Sequence, residues 1–258
     1  LYKCSELAGS GMDFSEDFQI IKDRYNGIIS ELGIDMSLEE EFDAIVKELK
    51  ARPSRDFAGS RGEYLNGKVL AKYLGFNFVD AGDVIVFDTK GMLLLDETVK
   101  AVRNALKNLD NAVIPGFYGR TTEGYIKTFS RGGSDVTGSI IANAVKAEIY
   151  ENWTDVSGFL VADPRIVDNP DVIEVITYRE LRELAYMGAS VLHEDAIFPV
   201  RSAGIPINIK NTNRPQDAGT MIVSDDFDFS KESLNHTITG IAGRKGFSTI
   251  NIEKAMMN

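Results

Sequence analysis

A single cysteine, Cys4, is all the thiol this 258-residue chain holds. No intrachain disulfide can form, and no Cys/His cluster offers zinc a ligand set. The two histidines, His193 and His236, lie far apart in sequence, and nothing favours a nucleophile triad built on either. No apolar run approaches the roughly 18–20 residues that cross a bilayer; the longest, such as 84–87 and 92–95, have strand length. Residues 1–11 lack the basic start and apolar stretch of a secretory signal, so the cytoplasm is the expected compartment. Positive charge is also in deficit. Against 39 Asp and Glu stand 28 Lys and Arg, a net charge of −11. That balance argues against a broad nucleic-acid or membrane footprint. An anion site, if there is one, must be built locally from a few Arg or Lys side chains and helix N-termini.

What is present is ordinary for a folded chain, with 43% hydrophobic and 26% charged residues. The first part reads as helix. Phe14, Phe18, Ile21, Tyr25, Ile28 and Leu32 recur at three- and four-residue spacing, with Asp13 and Glu16 set for a capping box and Gly33 as the stop. A second helix starts at Ser37 and buries Leu38, Phe42, Ile45 and Leu49. A third runs over about 54–74 and ends at Gly75. Extended segments then alternate with helices. Strands are expected over 76–81, 84–88, 111–115, 148–153, 205–210 and 221–223. Helices are expected over 96–109, after Ser134, and over 178–187 and 193–203. Such alternation predicts an α/β fold, a three-layer αβα sandwich around a mainly parallel sheet. Residues 1–223 read as one domain and 224–237 as a polar linker. Two further strands, 238–242 and 249–253, are too few to stand alone and open a second domain.

Three stretches carry chemistry. In Ser130-Arg131-Gly132-Gly133-Ser134-Asp135-Val136-Thr137-Gly138 an extended segment meets two glycines and then a helix. Glycines let a ligand approach the backbone, Ser134 can serve as N-cap, and Arg131 offers a planar donor fork to a carboxylate or phosphate. A plain glycine turn before a capped helix explains the spacing equally well. In the second, Trp153-Thr154-Asp155 leaves a strand end and leads through Leu160 to Asp163-Pro164-Arg165. Strand ends are where α/β sheets place ligands; Thr154 and Asp155 suit a ribose and Arg165 a phosphate. On its own that run reads more simply as a surface loop with an Asx-type turn at Asp163. In the third, Ser60-Arg61-Gly62-Glu63, a glycine opens space beside a helix carboxylate that suits a ligand ammonium, although the helical pattern alone gives a solvated glutamate.

In their order along the chain these stretches resemble the aspartate kinases, a branch of the amino-acid kinases. The resemblance also takes in Gly116-Phe117-Tyr118-Gly119, Met187-Gly188-Ala189-Ser190-Val191-Leu192-His193 and Ile205-Pro206-Ile207, and spans about 54–223. It implies a transfer of the γ-phosphoryl group of ATP, with Mg²⁺ bridging its phosphates, to the side-chain carboxylate of L-aspartate. By the same resemblance Arg131 and Ser134 hold the α-carboxylate of aspartate and Glu63 receives its ammonium across one shared hollow. Asp135 organises cationic groups around the transferred phosphoryl, and Thr154, Asp155, Leu160, Asp163 and Arg165 line the ATP site. Residues 238–258 resemble the opening of an ACT regulatory domain, which implies feedback by lysine or threonine and a homodimer. The sequence departs from the family in three places. The early strand with a Lys-Phe-Gly-Gly-type motif is not found, so weak turnover is expected of this chain by itself. Ser190 stands where many relatives carry lysine, and Glu194 where they carry proline. Other readings are a kinase of the same fold for glutamate, acetylglutamate or a nucleoside monophosphate, and a non-catalytic module that binds amino acid or nucleotide.

Overall fold

The computed structural model describes residues 1–186, 194–229, 238–243 and 246. These divide into two compact units. The first holds 1–150 and 194–205; the second holds 151–193 and 206–258.

The first unit begins with a helical layer: α1 (Tyr2–Gly9), α2 (Ser15–Glu31), α3 (Glu39–Ala51) and α4 (Arg55–Leu74). The apolar spacing read from the sequence becomes its core. Phe18, Leu38, Phe42, Ile45, Leu49, Ala58 and Leu65 are buried together, and Cys4 is sealed among them. The ends of α4 fall where the sequence puts them. Ser54 Oγ accepts from the Phe57 N–H at 3.4 Å, and Gly75 closes the helix at φ 69°. The capping box expected at α2 does not form. Asp13 Oδ1 accepts from Ser15 N (3.2 Å) and Ser15 Oγ (2.7 Å), an Asx turn that delays the helix to Ser15, and Glu16 is left in the first turn without reaching back.

From Asn77 the unit turns to α/β. The strands β1 (Asn77–Phe78) and β3 (Ala112–Val113) pair in parallel, as do β2 (Val86–Phe87) and β4 (Tyr118–Thr121). Between them lie α5 (Ala81–Val84), a helical turn that takes Ala81 from the first and Val84 from the second of the two segments expected to be extended, and α6 (Leu95–Leu106). The strand β4 forms a hairpin with β5 (Ile126–Thr128), which leads into α7 (Gly133–Val145). A second core gathers Val84, Ile85, Phe87, Val102, Tyr118, Ile140 and Ala144. Tyr64 of α4 packs against both cores.

In the second unit, β6 (Tyr150–Thr154), β7 (Val175–Thr177), β8 (Ile207–Asn211) and β9 (Thr220–Val223) stand in the order β6-β8-β9-β7. The pairing β7/β9 is parallel and β8/β9 antiparallel. Helix α8 (Tyr178–Tyr186) follows β7, and α9 (Glu194–Ser202) packs on α7 in the first unit. The architecture is α/β with mixed, mostly parallel pairing. The strand expected over 238–242 is not one. Among the described residues that segment makes one backbone hydrogen bond, Ile241 N–H to Val161 O at 2.7 Å, and one ladder bond does not make a strand. The expected strand over 249–253, most of the linker and the stretch 187–193 with Ser190 lie outside the described residues.

Candidate functional site

The turn between β5 and α7 is the most constrained backbone in the first unit. Gly132 adopts φ 54° and occupies the cap position of α7. A Cβ on Gly133 would stand 2.6 Å from Phe117 Cβ and 2.8 Å from Phe117 Cα, and one on Gly116 would stand 3.1 Å from Ser134 Cα. The start of β4 therefore lies directly on the first turn of α7, a closeness that only glycine permits. Thr137 fastens the two. Its Oγ1 accepts from Phe117 N (3.0 Å) and donates to Gly133 O (2.7 Å). Phe117 itself sits at φ 62°, a left-handed conformation that a bulky residue rarely adopts.

This geometry corrects one expectation. Ser134 does not cap α7; it is already inside the helix, because the left-handed Gly132 takes the cap position and starts the helix two residues before Ser134 could. No side chain caps this end, and first-turn N–H groups have no acceptor within their own helix. Arg131 and Ser134 are both exposed here, and Asp135 is half-buried in the first turn. The turn thus offers a cation, a hydroxyl and a helix N-terminus, a combination that suits an anion.

Helix α4 is tied to the same turn. Asp56 in its first turn accepts from Lys127 Nζ (2.8 Å) and Thr128 Oγ1 (2.5 Å) at the end of β5, three residues before Arg131. Further along α4, Arg61 is buried. Its guanidinium carbon lies 5.0, 4.4 and 5.2 Å from the rings of Phe57, Tyr64 and Tyr118, and Nη2 has no hydrogen-bond partner among the described residues. Tyr118 Oη donates to Asp80 at 2.6 Å. Burial, reinforced by the Asp80 charge, holds that phenol protonated far above its usual range. Gly62 has room beside it: an added Cβ would meet only Leu1 Cδ1, at 3.9 Å. Glu63 next to it is exposed. Glu63 and Arg131 therefore belong to one unit, on elements joined through Asp56, and they form no ion pair with each other.

Thr154, Asp155, Leu160, Asp163 and Arg165 all lie in the second unit. Thr154 Oγ1 donates to Asp155 Oδ1 at 3.2 Å, and the Thr154 carbonyl accepts from both N and Oγ1 of Thr212. Leu160 is half-exposed and bridges to Val172. Asp163 forms the Asx turn that the simpler reading anticipated, accepting from the Arg165 N–H at 2.8 Å. The Arg165 guanidinium folds back on it at 2.6 Å. Hydrogen bonds from that side chain and backbone hold the Asp163 carboxyl down to about 2. Sequence reasoning missed the polar residues behind this loop. Ser157 Oγ donates to Asp217 (2.6 Å) and accepts from Asn211 Nδ2 (2.9 Å). The run Asn211-Thr212-Asn213 after a strand was the available signal. Among the described residues no group of three or more His, Cys, Asp or Glu side chains is gathered to hold a metal ion. No described helix is long and apolar enough to cross a membrane.

Comparison with known proteins completes the picture. The model of the amino acid kinase family matches residues 18–211. Aspartokinase 3 of Bacillus subtilis is 36% identical over 276 residues, covering 100% of this chain and 59% of that protein. The crystal structure of Clostridium acetobutylicum aspartate kinase superposes with a TM-score of 0.84 at 52% identity, over 93% of this chain and 54% of that one. Escherichia coli aspartokinase III, solved with lysine and aspartate, gives 0.65 at 25% identity over 78% and 48%. The chain spans about half the length of the relatives it matches. With a family match that covers most of its length and its two units, the chain belongs to the amino acid kinase family.

Proposed function

We propose that the protein carrying this chain is an aspartate kinase, which converts L-aspartate and ATP to 4-phospho-L-aspartate and ADP. The observation that carries the reading is the β5–α7 turn. There the exposed Arg131 and Ser134 flank the start of α7, a helix end without a side-chain cap, after a strand tied to the helix that bears Glu63. A free α-amino acid needs partners for a carboxylate and an ammonium, and Arg131 with Glu63 supplies both. Likeness to Bacillus subtilis aspartokinase 3 along the whole chain supports aspartate over other amino acids.

The chemistry asks little of the protein beyond placement and charge. The β-carboxylate of aspartate is already ionised at neutral pH, so its oxygen attacks the γ-phosphorus without a general base. One O–P bond forms, the bond to the β–γ bridging oxygen breaks, and its electron pair leaves with ADP. Both reactants are anions, and the barrier falls through alignment and neutralisation. Arg131 and Ser134 fix the α-carboxylate, Glu63 the ammonium, and Asp135 orients cationic groups near the transferred phosphoryl. Thr154, Asp155, Leu160, Asp163 and Arg165 receive the nucleotide, with Arg165 exchanging Asp163 for a phosphate. Mg²⁺ belongs with the triphosphate. The described residues gather no carboxylate cluster for it, and no step is assigned to it through the protein. The product would open the route to lysine, threonine and methionine, and the stretch 238–258 would begin a regulatory region where a feedback amino acid acts on a homodimer.

An ADP-release assay with hydroxylamine trapping of the acyl phosphate tests this on the protein carrying the sequence. Turnover is expected with L-aspartate and not with L-glutamate, N-acetyl-L-glutamate or UMP. Arg131→Ala should raise KM for aspartate about 10- to 100-fold, the loss of a charge-assisted hydrogen bond. Preference for any other acceptor, or nucleotide and amino-acid binding without turnover, overturns the reading.

A further inference from the structure

Tyr25 lies on α2, which comes before every stretch so far given a role. Its hydroxyl donates to the carbonyl of Gly62 at 2.9 Å, across 37 positions of sequence. That carbonyl is already part of α4. It also belongs to the planar peptide unit whose other end is the Glu63 N–H, so holding the carbonyl holds the plane from which the Glu63 Cα departs. Gly62 is where such a hold matters. A glycine inside a helix is the softest point of its backbone, and nothing but Leu1 Cδ1 at 3.9 Å stands beside it.

The two sides of this point are anchored differently. Arg61 is locked into the rings of Phe57, Tyr64 and Tyr118, which fixes α4 toward β4. Tyr25 fixes it toward the helical layer, with its own ring tilted against Phe42 at 6.5 Å between centroids. From the geometry we infer that Tyr25 is a positioning residue for Glu63, so that recognition of the substrate ammonium by α4 depends on α2. Burial first, and then the Glu63 charge, push the Tyr25 phenol above its ordinary range, which keeps it a donor.

The inference rests on the reading of Glu63 as the ammonium acceptor, and the experiment separates the two. Tyr25→Phe removes one oxygen and keeps the ring. It should raise KM for aspartate about threefold to tenfold, the worth of one neutral hydrogen bond, with kcat and KM for ATP within about twofold. Glu63→Gln should raise the same constant further, and Tyr25→Phe added to Glu63→Gln should cost little more, because the hydroxyl acts through the carboxylate. Phe42→Leu loosens the same core without touching the hydroxyl, and should lower the melting temperature while leaving KM for aspartate unchanged. Calorimetric titration with aspartate reads the same change if turnover is slow. An unchanged aspartate KM in Tyr25→Phe beside a raised one in Glu63→Gln overturns the role of Tyr25 and leaves the site intact. No change in Glu63→Gln overturns the reading of Glu63 beneath it. Equal increases for Tyr25→Phe and Phe42→Leu reduce Tyr25 to packing and also overturn the inference.

Discussion

Gly62 shows what one residue can reveal in sequence and what it hides. Its position beside Glu63 suggests space for a ligand, and a Cβ added there would meet Leu1 Cδ1 at 3.9 Å, an ordinary contact. Its φ is not in the left-handed region, so alanine fits the backbone. Gly62→Ala should therefore stabilise the protein by about 0.5–1 kcal/mol, the helix-propensity difference, visible as a later denaturant midpoint. The same methyl would crowd the ammonium beside Glu63, so aspartate affinity should fall while stability rises. A variant that is more stable and binds aspartate as before would show that the space has no use. Gly132 and Phe117 make the opposite case. A glycine at φ 54° is a fair guess from a Gly-Gly pair, but a phenylalanine at φ 62° has no local signature. It is imposed by the closeness of Gly133 and by Thr137, both far off in sequence.

At the scale of elements, the helices were legible and the short strands only roughly. Long amphipathic spacing repeated over several turns specifies α2, α3 and α4 with little ambiguity, and Ser54 and Gly75 mark the ends of α4. The two-residue strands β1, β2 and β3 carry too few positions for any period to show. The turn α5 is hidden by its shortness: one helical turn, capped by Asp80 accepting from Gly82 N at 2.8 Å, lies between two apolar segments of strand length. The β5–α7 junction was legible as a candidate site because it combines glycines, a cation and a helix start. Its cap was misassigned because Ser134 and Gly132 compete for one position and only packing decides. Gly133→Ala tests that packing. The new Cβ meets Phe117 backbone and Cβ, atoms that cannot swing aside, so the variant should lose about 1–3 kcal/mol by overpacking. It should also lose aspartate affinity, since Arg131 and Ser134 move with the turn. Full stability and full binding together would show that the two elements are not in contact as described.

For the whole molecule, the division into two units is the feature that a linear reading could least supply. The sequence reads 1–223 as one span, yet 194–205 groups with residues from the first 150. That return depends on contacts such as Asn143 Nδ2 to Pro199 O (2.8 Å) and Val200 N to Ser139 Oγ (3.2 Å), between polar side chains of α7 and backbone groups of α9, which leave no periodic signal. The proposed roles fall on opposite sides of the division: Glu63, Arg131, Ser134 and Asp135 in the first unit, and the nucleotide group 154–165 in the second. Hydrogen exchange resolves this by ligand. Aspartate alone should protect segments around 57–66 and 129–137, and a non-hydrolysable ATP analogue alone should protect 153–166. Where exchange requires ligand release, protection at ten times Kd should be about tenfold, since the open state is suppressed by the factor 1 + [L]/Kd. Aspartate that protects 153–166 and leaves α4 and the start of α7 unchanged would place its carboxylate and ammonium partners in the wrong unit. The assignment of Arg131 and Glu63 would then fail, whatever the family.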